Sequence, residues 1–323
     1  MACMRAVWLQ EFGAPEVLVA GEAPEPVPGD GQVLIEVEFA NVTFVETQIR
    51  AGRFPSPMGR SGLPSIPGNG VGGVVVATGS GVAPALRGTR VVSSTGGSGG
   101  YAERVAVDAA GVIEIPEGVG TDTAVALLAD GRTAMALIRA AKPGAGTRVL
   151  VEAAGGGVGS LLVQLARRAG ATVIAAAGSA HKLELTRTLG AEIAVDYRSP
   201  TWTKEVRAAI GAVDVVFDGV GGAVGRSAFE LLDKGGQMVM FGIAAGAFPE
   251  IDDKEAAERG VTLTRGISVS PELARELTTV ALAEAAAGRL TPVIGQRFPL
   301  DKAAVAHAEM ENRATVGKTL LIP

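Results

Sequence analysis

The chain of 323 residues contains one cysteine, two histidines and only 4% aromatic residues. Because Cys3 has no second cysteine to pair with, a disulfide within one chain is excluded. Cys3, His181 and His307 are also too few to build the four-ligand cysteine and histidine sites that hold zinc. We therefore expect no metal site of that kind.

The chain also lacks a long apolar run and an excess of basic residues. No segment approaches the ~20 apolar residues that cross a bilayer. The N-terminal sequence MACMRAVWLQEFG has no apolar core of signal-peptide length. The formal net charge is -5, and no basic patch is evident. These absences predict a cytoplasmic protein that binds neither nucleic acid nor a membrane.

The distribution of apolar segments predicts two domains, as the length also suggests. Residues 1–123 contain short apolar or alternating segments between proline and glycine clusters, which predict a mostly β domain. Residues 124–269 alternate strand and helix patterns, which predict a doubly wound parallel sheet. Residues 270–323 are expected to return to the first domain. The predicted fold class is α/β, with a strand at 261–269 closing the nucleotide-binding sheet.

The segment RVLVEAAGGGVG, residues 148–159, is the centre of the second domain. An apolar strand breaks into glycines, and helical spacing resumes at Ser160. Ala154, Gly156 and Gly159 occupy the three special positions of the dinucleotide fingerprint, with alanine in place of the first glycine. Such a turn aims free amides at a pyrophosphate. The alternative is a glycine-rich turn that binds nothing.

The end of the next strand indicates which cofactor binds. An NAD site has Asp or Glu there, but this strand ends in Ala177, Gly178 and Ser179. A hydroxyl at Ser179 and a cation at Lys182 would hold a 2′-phosphate, whereas a carboxylate would repel it. NADPH is therefore the predicted cofactor. In the alternative interpretation, Ser179 only caps a helix and Lys182 is solvated.

Several segments together resemble the zinc-free quinone oxidoreductase branch of the medium-chain dehydrogenases/reductases, which includes zeta-crystallin. The likeness spans nearly the whole chain. It is carried by FVETQIRAGRFP, GSGGYAERV, DGRTA, AAGGGVGSLLVQLARRAGATVIA, GSAHKLELTRTLGAEIAVDYR, VFDGVGG and NRATVGKTLLIP. The resemblance implies a Rossmann domain for NADP(H) and a GroES-like catalytic domain. Relatives usually dimerise through the last strand of the nucleotide domain, so a homodimer through residues 261–269 is expected.

The resemblance also implies the cofactor contacts. The residues expected around the 2′-phosphate are Ser179, Lys182, Tyr197 and Arg313; those of the pyrophosphate turn are Gly156, Gly157, Val158 and Gly159; the others are Asn41, Thr133, Val220, Phe241, Gly242 and Ile243. Without the resemblance, the residues alone favour Tyr197 as a core aromatic at a strand end and Arg313 as a surface charge.

The departures from the family pattern lie on the substrate side. Thr43 stands where the family commonly has asparagine, and Gln48 and Phe54 stand where tyrosines are often found. Gly70 replaces an acidic residue. Thr43, Gln48 and Phe54 are the candidate catalytic residues, since they are expected to surround the acceptor.

The resulting expectation is a metal-independent enzyme that transfers hydride from NADPH to a quinone. Without a metal, hydrogen-bond donors must stabilise the negative charge that develops on the acceptor oxygen. Two alternatives remain open at this stage. One is reduction of the C=C bond of an enone or enoyl substrate, and the other is a nucleotide-binding protein with little turnover.

Overall fold

The computed structural model describes residues 2–53 and 62–323. These residues form two compact units. The first comprises the chain up to Ala129 together with Thr278–Pro323, and the second is Asp130–Leu277. The domain boundaries at residues 123 and 269 stay a prediction.

The first unit is built mainly of antiparallel strands. Its strands and helices are β1 (Cys3–Leu9), β2 (Leu18–Pro24), β3 (Gln32–Val42), α1 (Phe44–Arg50), β4 (Gly70–Thr78), β5 (Arg90–Ser94), β6 (Arg104–Asp108), β7 (Ile113–Glu114), β14 (Ile294–Pro299), α9 (Ala303–Glu311) and β15 (Lys318–Ile322). β1 pairs with β2, and the larger sheet has the order β14-β15-β3-β4-β5-β7, with β6 also paired to β3.

Strand β3 shows why the first unit has this sheet. Val33, Ile35 and Val37 are buried, whereas Glu36 and Glu38 are exposed, so the strand alternates as a half-buried strand should. Burial of the apolar side chains on one face supplies the hydrophobic stabilisation of this unit. The mostly β first domain is thereby confirmed.

The second unit is a parallel sheet connected by helices. Its elements are β8 (Arg148–Val151), α3 (Gly157–Arg168), β9 (Thr172–Ala177), α4 (Ala180–Thr188), β10 (Ile193–Asp196), α5 (Trp202–Ile210), β11 (Val213–Asp218), α6 (Gly222–Phe229), β12 (Leu232–Met240), α7 (Asp253–Glu258) and β13 (Thr262–Arg265). The strand order is β10-β9-β8-β11-β12-β13, and every pairing is parallel. This is the order of the dinucleotide-binding fold, so the predicted Rossmann sheet is confirmed.

Two helices run across the division of the chain into units. The first unit ends within α2 (Thr121–Ala141), and it resumes within α8 (Pro271–Ala286). The apolar spacing of the first helix is interrupted at Asp130-Gly131, but the helix is continuous there. A single glycine inside a helix costs only about 1 kcal/mol relative to alanine, which the flanking apolar turns offset.

The last strand of the parallel sheet is shorter than the sequence indicates. Pairing to β12 ends at Arg265, although the apolar pattern continues to Val269. Gly266 has a φ of 71°, a left-handed conformation that turns the backbone out of the strand.

A buried tyrosine and histidine pair lies in the core of the first unit. The Tyr101 hydroxyl is 2.9 Å from His307 Nε2, and both side chains are fully buried. Burial lowers the pKa of His307 to about 3, and the positive charge of Arg50 acts in the same direction. His307 is therefore neutral in the folded protein at neutral pH.

We expect His307 to make the protein less stable in mild acid. An unfolded histidine takes up a proton below a pH of about 6.5, whereas folded His307 does so only near pH 3. The free energy of unfolding therefore falls as the pH drops through this window, by about 2 kcal/mol at pH 5. Urea unfolding at pH 7 and pH 5 measures this loss, and His307→Gln should remove the histidine component.

The matched control is His181→Gln, because His181 is exposed on α4. That variant should keep the wild-type difference between the two pH values. An undiminished loss of stability in His307→Gln would contradict the assignment.

Candidate nucleotide site

The turn between β8 and α3 requires close approach of the backbone. A Cβ on Gly159 would lie 2.3 Å from the carbonyl oxygen of Ala153 and 2.8 Å from Ala154 Cα, so only glycine fits. Ala153 itself has a φ of 48°, which L residues rarely adopt. The turn is closed by the Gly156 amide, which donates to the Ala153 carbonyl over 2.8 Å.

Helix α3 begins at this turn, and no N-cap side chain accepts a hydrogen bond from its first amides. The N-cap residue is Gly156, which has no side chain to accept a hydrogen bond. A helix start of this kind attracts negative charge through its free N–H groups and its dipole. The predicted pyrophosphate residues Gly156, Gly157, Val158 and Gly159 therefore lie together at one helix start.

Asp130 of α2 packs against the same helix start. Asp130 Oδ2 lies 1.9 Å from the position that a Cβ on Gly157 would occupy. Glycine at this position therefore makes room for the carboxylate beside the first turn of α3. Thr133 lies one turn further along α2, in the same unit.

Three of the four residues predicted for the 2′-phosphate lie at the end of β9. Ser179 caps α4, accepting a hydrogen bond from the Lys182 amide over 3.3 Å. The aliphatic part of Lys182 packs over Gly155, where an added Cβ would lie 2.7 Å from Lys182 Cβ. The Tyr197 ring packs on Gly178, with its hydroxyl 3.1 Å from the corresponding Cβ position. Ser179, Lys182 and Tyr197 thus surround the end of one strand.

This group of side chains suits a phosphate monoester. β9 ends at Ala177, and the residues that follow it, Gly178 and Ser179, lack the carboxylate that accepts a ribose 2′-hydroxyl in an NAD site. The hydroxyl of Ser179, the phenol of Tyr197 and the ammonium of Lys182 are all hydrogen-bond donors. The side chains at the end of β9 therefore fit NADPH. The sequence expectation that Ser179 caps the helix is compatible with this, since both functions use the same helix start.

Two further turns lie at the carboxyl ends of β11 and β12. The Asp218 carbonyl accepts hydrogen bonds from Phe241 N over 2.9 Å and from Gly242 N over 3.3 Å. The Val220 carbonyl accepts from Ala245 N over 2.7 Å. The turn that carries Val220 and the turn that carries Phe241, Gly242 and Ile243 are therefore joined directly.

Two buried carboxyl groups lie beneath these turns. Glu152 follows β8 and Asp218 ends β11, and both are fully buried. Asp218 Oδ1 accepts hydrogen bonds from the amides of Val220 and Gly221, at 3.0 and 2.7 Å. Burial, reinforced by the negative charge of Asp218, raises the pKa of Glu152 well above its usual value. This pair is not among the residues predicted from the sequence, although Glu152 follows one apolar strand and Asp218 ends another.

The predicted residues of the first unit have different surroundings. Asn41 in β3 is fully buried, and neither polar atom of its side chain has a hydrogen-bond partner in the described part of the chain. Thr43 caps α1: its hydroxyl donates to Glu46 Oε2 over 2.8 Å, and its amide donates to the same oxygen over 2.6 Å. Burial raises the pKa of Glu46. Gln48 donates to the Thr47 hydroxyl over 3.0 Å.

The remaining predicted residues are not brought into one cluster by the described structure. Arg313 lies in the first unit after α9, with a left-handed φ of 57°. Phe54 lies outside the described residues. No group of three or more His, Cys, Asp or Glu side chains within residues 2–53 and 62–323 is arranged to hold a metal ion. In the same residues, no helix is both long and apolar enough to span a membrane.

Comparison with family models agrees with this division of the chain. Residues 29–117 match the alcohol dehydrogenase GroES-like domain, and residues 157–284 match the zinc-binding dehydrogenase domain. The fold and the glycine turn therefore define an oxidoreductase of the medium-chain dehydrogenase/reductase superfamily.

Similarity to individual proteins narrows the class. The chain is 33% identical to human quinone oxidoreductase over 328 residues, covering 99% of this chain and 98% of that protein. The structure of Escherichia coli quinone oxidoreductase complexed with NADPH superposes with a TM-score of 0.90 at 29% identity, covering the whole of both chains. A mycobacterial protein complexed with NADPH superposes with a TM-score of 0.89 at 33% identity, covering 99% of this chain and all of that chain. The chain belongs to the quinone oxidoreductase family, as its motifs predict.

Proposed function

We propose that this protein is an NADPH-dependent quinone oxidoreductase that works without a metal ion. The observation that carries the proposal is the donor group of Ser179, Lys182 and Tyr197 at the end of a strand that lacks a carboxylate. Membership of a family whose named relatives are quinone oxidoreductases supports the acceptor class. The cytoplasmic location stays a prediction.

The residues of the second unit bind and orient the cofactor. When bound, NADPH supplies the hydride that reduces the acceptor. The start of α3 holds the pyrophosphate, and Lys182 with Ser179 and Tyr197 holds the 2′-phosphate. The joined turns of Val220 and Phe241 line the nicotinamide side. Thr133, Asn41 and Arg313 are proposed as further cofactor contacts.

On the acceptor side, Thr43, Gln48 and Phe54 are proposed to shape the substrate site. Thr43 already donates its hydroxyl proton to Glu46, so stabilising an acceptor oxygen would require that hydrogen bond to break. The Gln48 side-chain amide, which has two N–H groups, keeps one for an acceptor while it donates to Thr47. Solvent supplies the proton that completes reduction.

A steady-state assay tests the proposed reaction. We expect oxidation of NADPH with 1,4-benzoquinone and 9,10-phenanthrenequinone, much slower turnover with NADH, and unchanged rates after dialysis against a chelator. An alkyl enone run in parallel distinguishes the C=C reductase. Turnover of the enone alone, or tight NADPH binding with no acceptor consumed, would contradict quinone reduction.

Lys182→Ala should change the KM for NADPH much more than the KM for NADH. It removes a charge-assisted contact of about 1.5 to 3 kcal/mol, so the KM for NADPH should rise about 10- to 100-fold while the KM for NADH stays nearly constant. Lys204→Ala is the control, because Lys204 is exposed on α5. Equal effects of Lys182→Ala on both cofactors would refute the role of this residue.

We also propose a homodimer through β13. This strand lies at the outer edge of the described parallel sheet, beside β12, and Thr262 at its start is exposed. An exposed edge offers unpaired backbone groups to a second copy. Light scattering should therefore give twice the chain mass of 32.6 kDa.

Arg265→Pro should shift the mass toward that of one chain. The Gly266 amide donates to the Met240 carbonyl of β12, so the preceding amide of Arg265 points away from β12 toward the open edge, where proline is tolerated but removes a donor. Asp196→Pro, at the last residue of the opposite edge strand β10, is the matched control, because the next amide, of Tyr197, donates to the Ala177 carbonyl of β9; this variant should leave the dimer intact. A wild-type mass of one chain would rule out the dimer.

A further inference from the structure

The strand order of the parallel sheet reverses between β8 and β11. From β8 the chain proceeds through β9 and β10 on one side, and from β11 through β12 and β13 on the other. Ligands of doubly wound sheets bind outside the carboxyl ends of the strands at such a reversal. The residues that follow these two strands are therefore the ones nearest to a bound nucleotide.

Both of these positions carry an acid. β8 and β11 pair in parallel register, with Val151 opposite Phe217, so Glu152 and Asp218 are the next residues along. The Glu152 amide donates to the Phe217 carbonyl over 3.0 Å, which continues the pairing. The negative charge of Asp218 acts on Glu152, so the two carboxyl groups lie close together.

The polar atoms of the two acids cannot be satisfied if both groups are ionised. Both Glu152 oxygens and Asp218 Oδ2 are buried without a donor in the described part of the chain. Two carboxylates have only acceptor atoms, whereas a carboxylic acid and a carboxylate form one hydrogen bond. Two buried like charges in contact are costly, so one proton is retained between them.

Two neighbours of the pair in the described structure carry no charge. Helix α6 presents Gly225, whose added Cβ would lie 2.7 Å from Asp218 Oδ2. On the other side, β9 contributes Ala176, which is buried and apolar. Among the described ionisable groups, Asp218 is the one whose charge acts on Glu152.

We propose that Glu152 is an un-ionised carboxylic acid that donates a hydrogen bond to the Asp218 carboxylate and thereby positions the two cofactor-lining turns. Asp218 connects those turns: its side chain binds the amides of Val220 and Gly221, and its carbonyl binds the amides of Phe241 and Gly242. Glu152 fixes the side chain that makes these contacts. Glu152 is therefore a positioning residue. The inference rests on the proposed function only for the identity of the ligand.

The pair makes NADPH binding sensitive to alkaline pH. Because the pKa of Glu152 is raised, the single proton stays bound at neutral pH and is lost as the pH rises. A second buried negative charge then repels Asp218 and disturbs the turns. Binding should therefore weaken with rising pH, and a neutral replacement of Glu152 should remove this component.

Three variants test the proposal on the full-length protein. Glu152→Gln keeps the volume and a donor, Glu152→Ala removes the donor, and Glu258→Gln is the control on the exposed side of α7. Infrared spectra at pH 7 should show an un-ionised carboxyl C=O band that both Glu152 variants lose and Glu258→Gln keeps. This readout needs no cofactor.

The dissociation constant for NADPH is measured by fluorescence titration between pH 6 and pH 9. Glu152→Ala should weaken binding about tenfold, which corresponds to loss of one hydrogen bond to a charged group. Glu152→Gln should restore binding and flatten the pH profile. If Glu152→Ala fails to fold, the infrared band and the pH profile of NADPH binding by Glu152→Gln decide the proposal.

Two results would overturn the proposal: no carboxyl band that depends on Glu152, or binding by Glu152→Gln as weak as that of Glu152→Ala. Failure of the wild-type protein to bind NADPH would instead contradict the proposed function. The infrared band would still report on the pair in that case, so the two failures are distinguishable.

Discussion

The reversal of strand order between β8 and β11 is the constraint on which the nucleotide-binding unit depends. It places the carboxyl ends of two parallel strands side by side, and both strands then turn into helices at the same edge of the sheet. Parallel strands have no hairpin connections, so each return passes through a helix whose start faces that edge. The edge therefore collects helix starts, free amides and turns.

Close packing against other backbone requires glycine at two positions of that edge. Gly159 faces the backbone of Ala153, and Gly242 faces the backbone of Gly219, where an added Cβ would lie 2.5 Å from a carbonyl oxygen. Backbone atoms cannot move aside as the end of a flexible side chain can. These glycines are required by contact with other backbone, which leaves the amides of the turns close to the surface of the site.

The sequence predicts this unit well because its signals are local. The RVLVEAAGGGVG turn, the missing carboxylate after β9 and the cap at Ser179 are each visible within about ten residues. The continuity of α2 through Asp130-Gly131 and the early end of β13 at Gly266 depend on packing and backbone conformation, which local patterns do not contain. The fold and family were therefore predictable, whereas some element boundaries were not.

The surroundings of the residues predicted in the first unit are harder to predict, because their neighbours are not local in sequence. Asn41, Thr43 and Gln48 belong to elements whose neighbours come from distant parts of the sequence: Asn41 pairs across to Leu320, and Glu46 beneath Thr43 also accepts the amide of Asn69. Glu152 and Asp218, 66 positions apart, show the same effect. Each looks like an ordinary strand-end acid until the strand order is known. Once β8 and β11 are neighbours, burial of the two acids favours a proton shared between them, because ionisation of both groups would place two buried negative charges in contact.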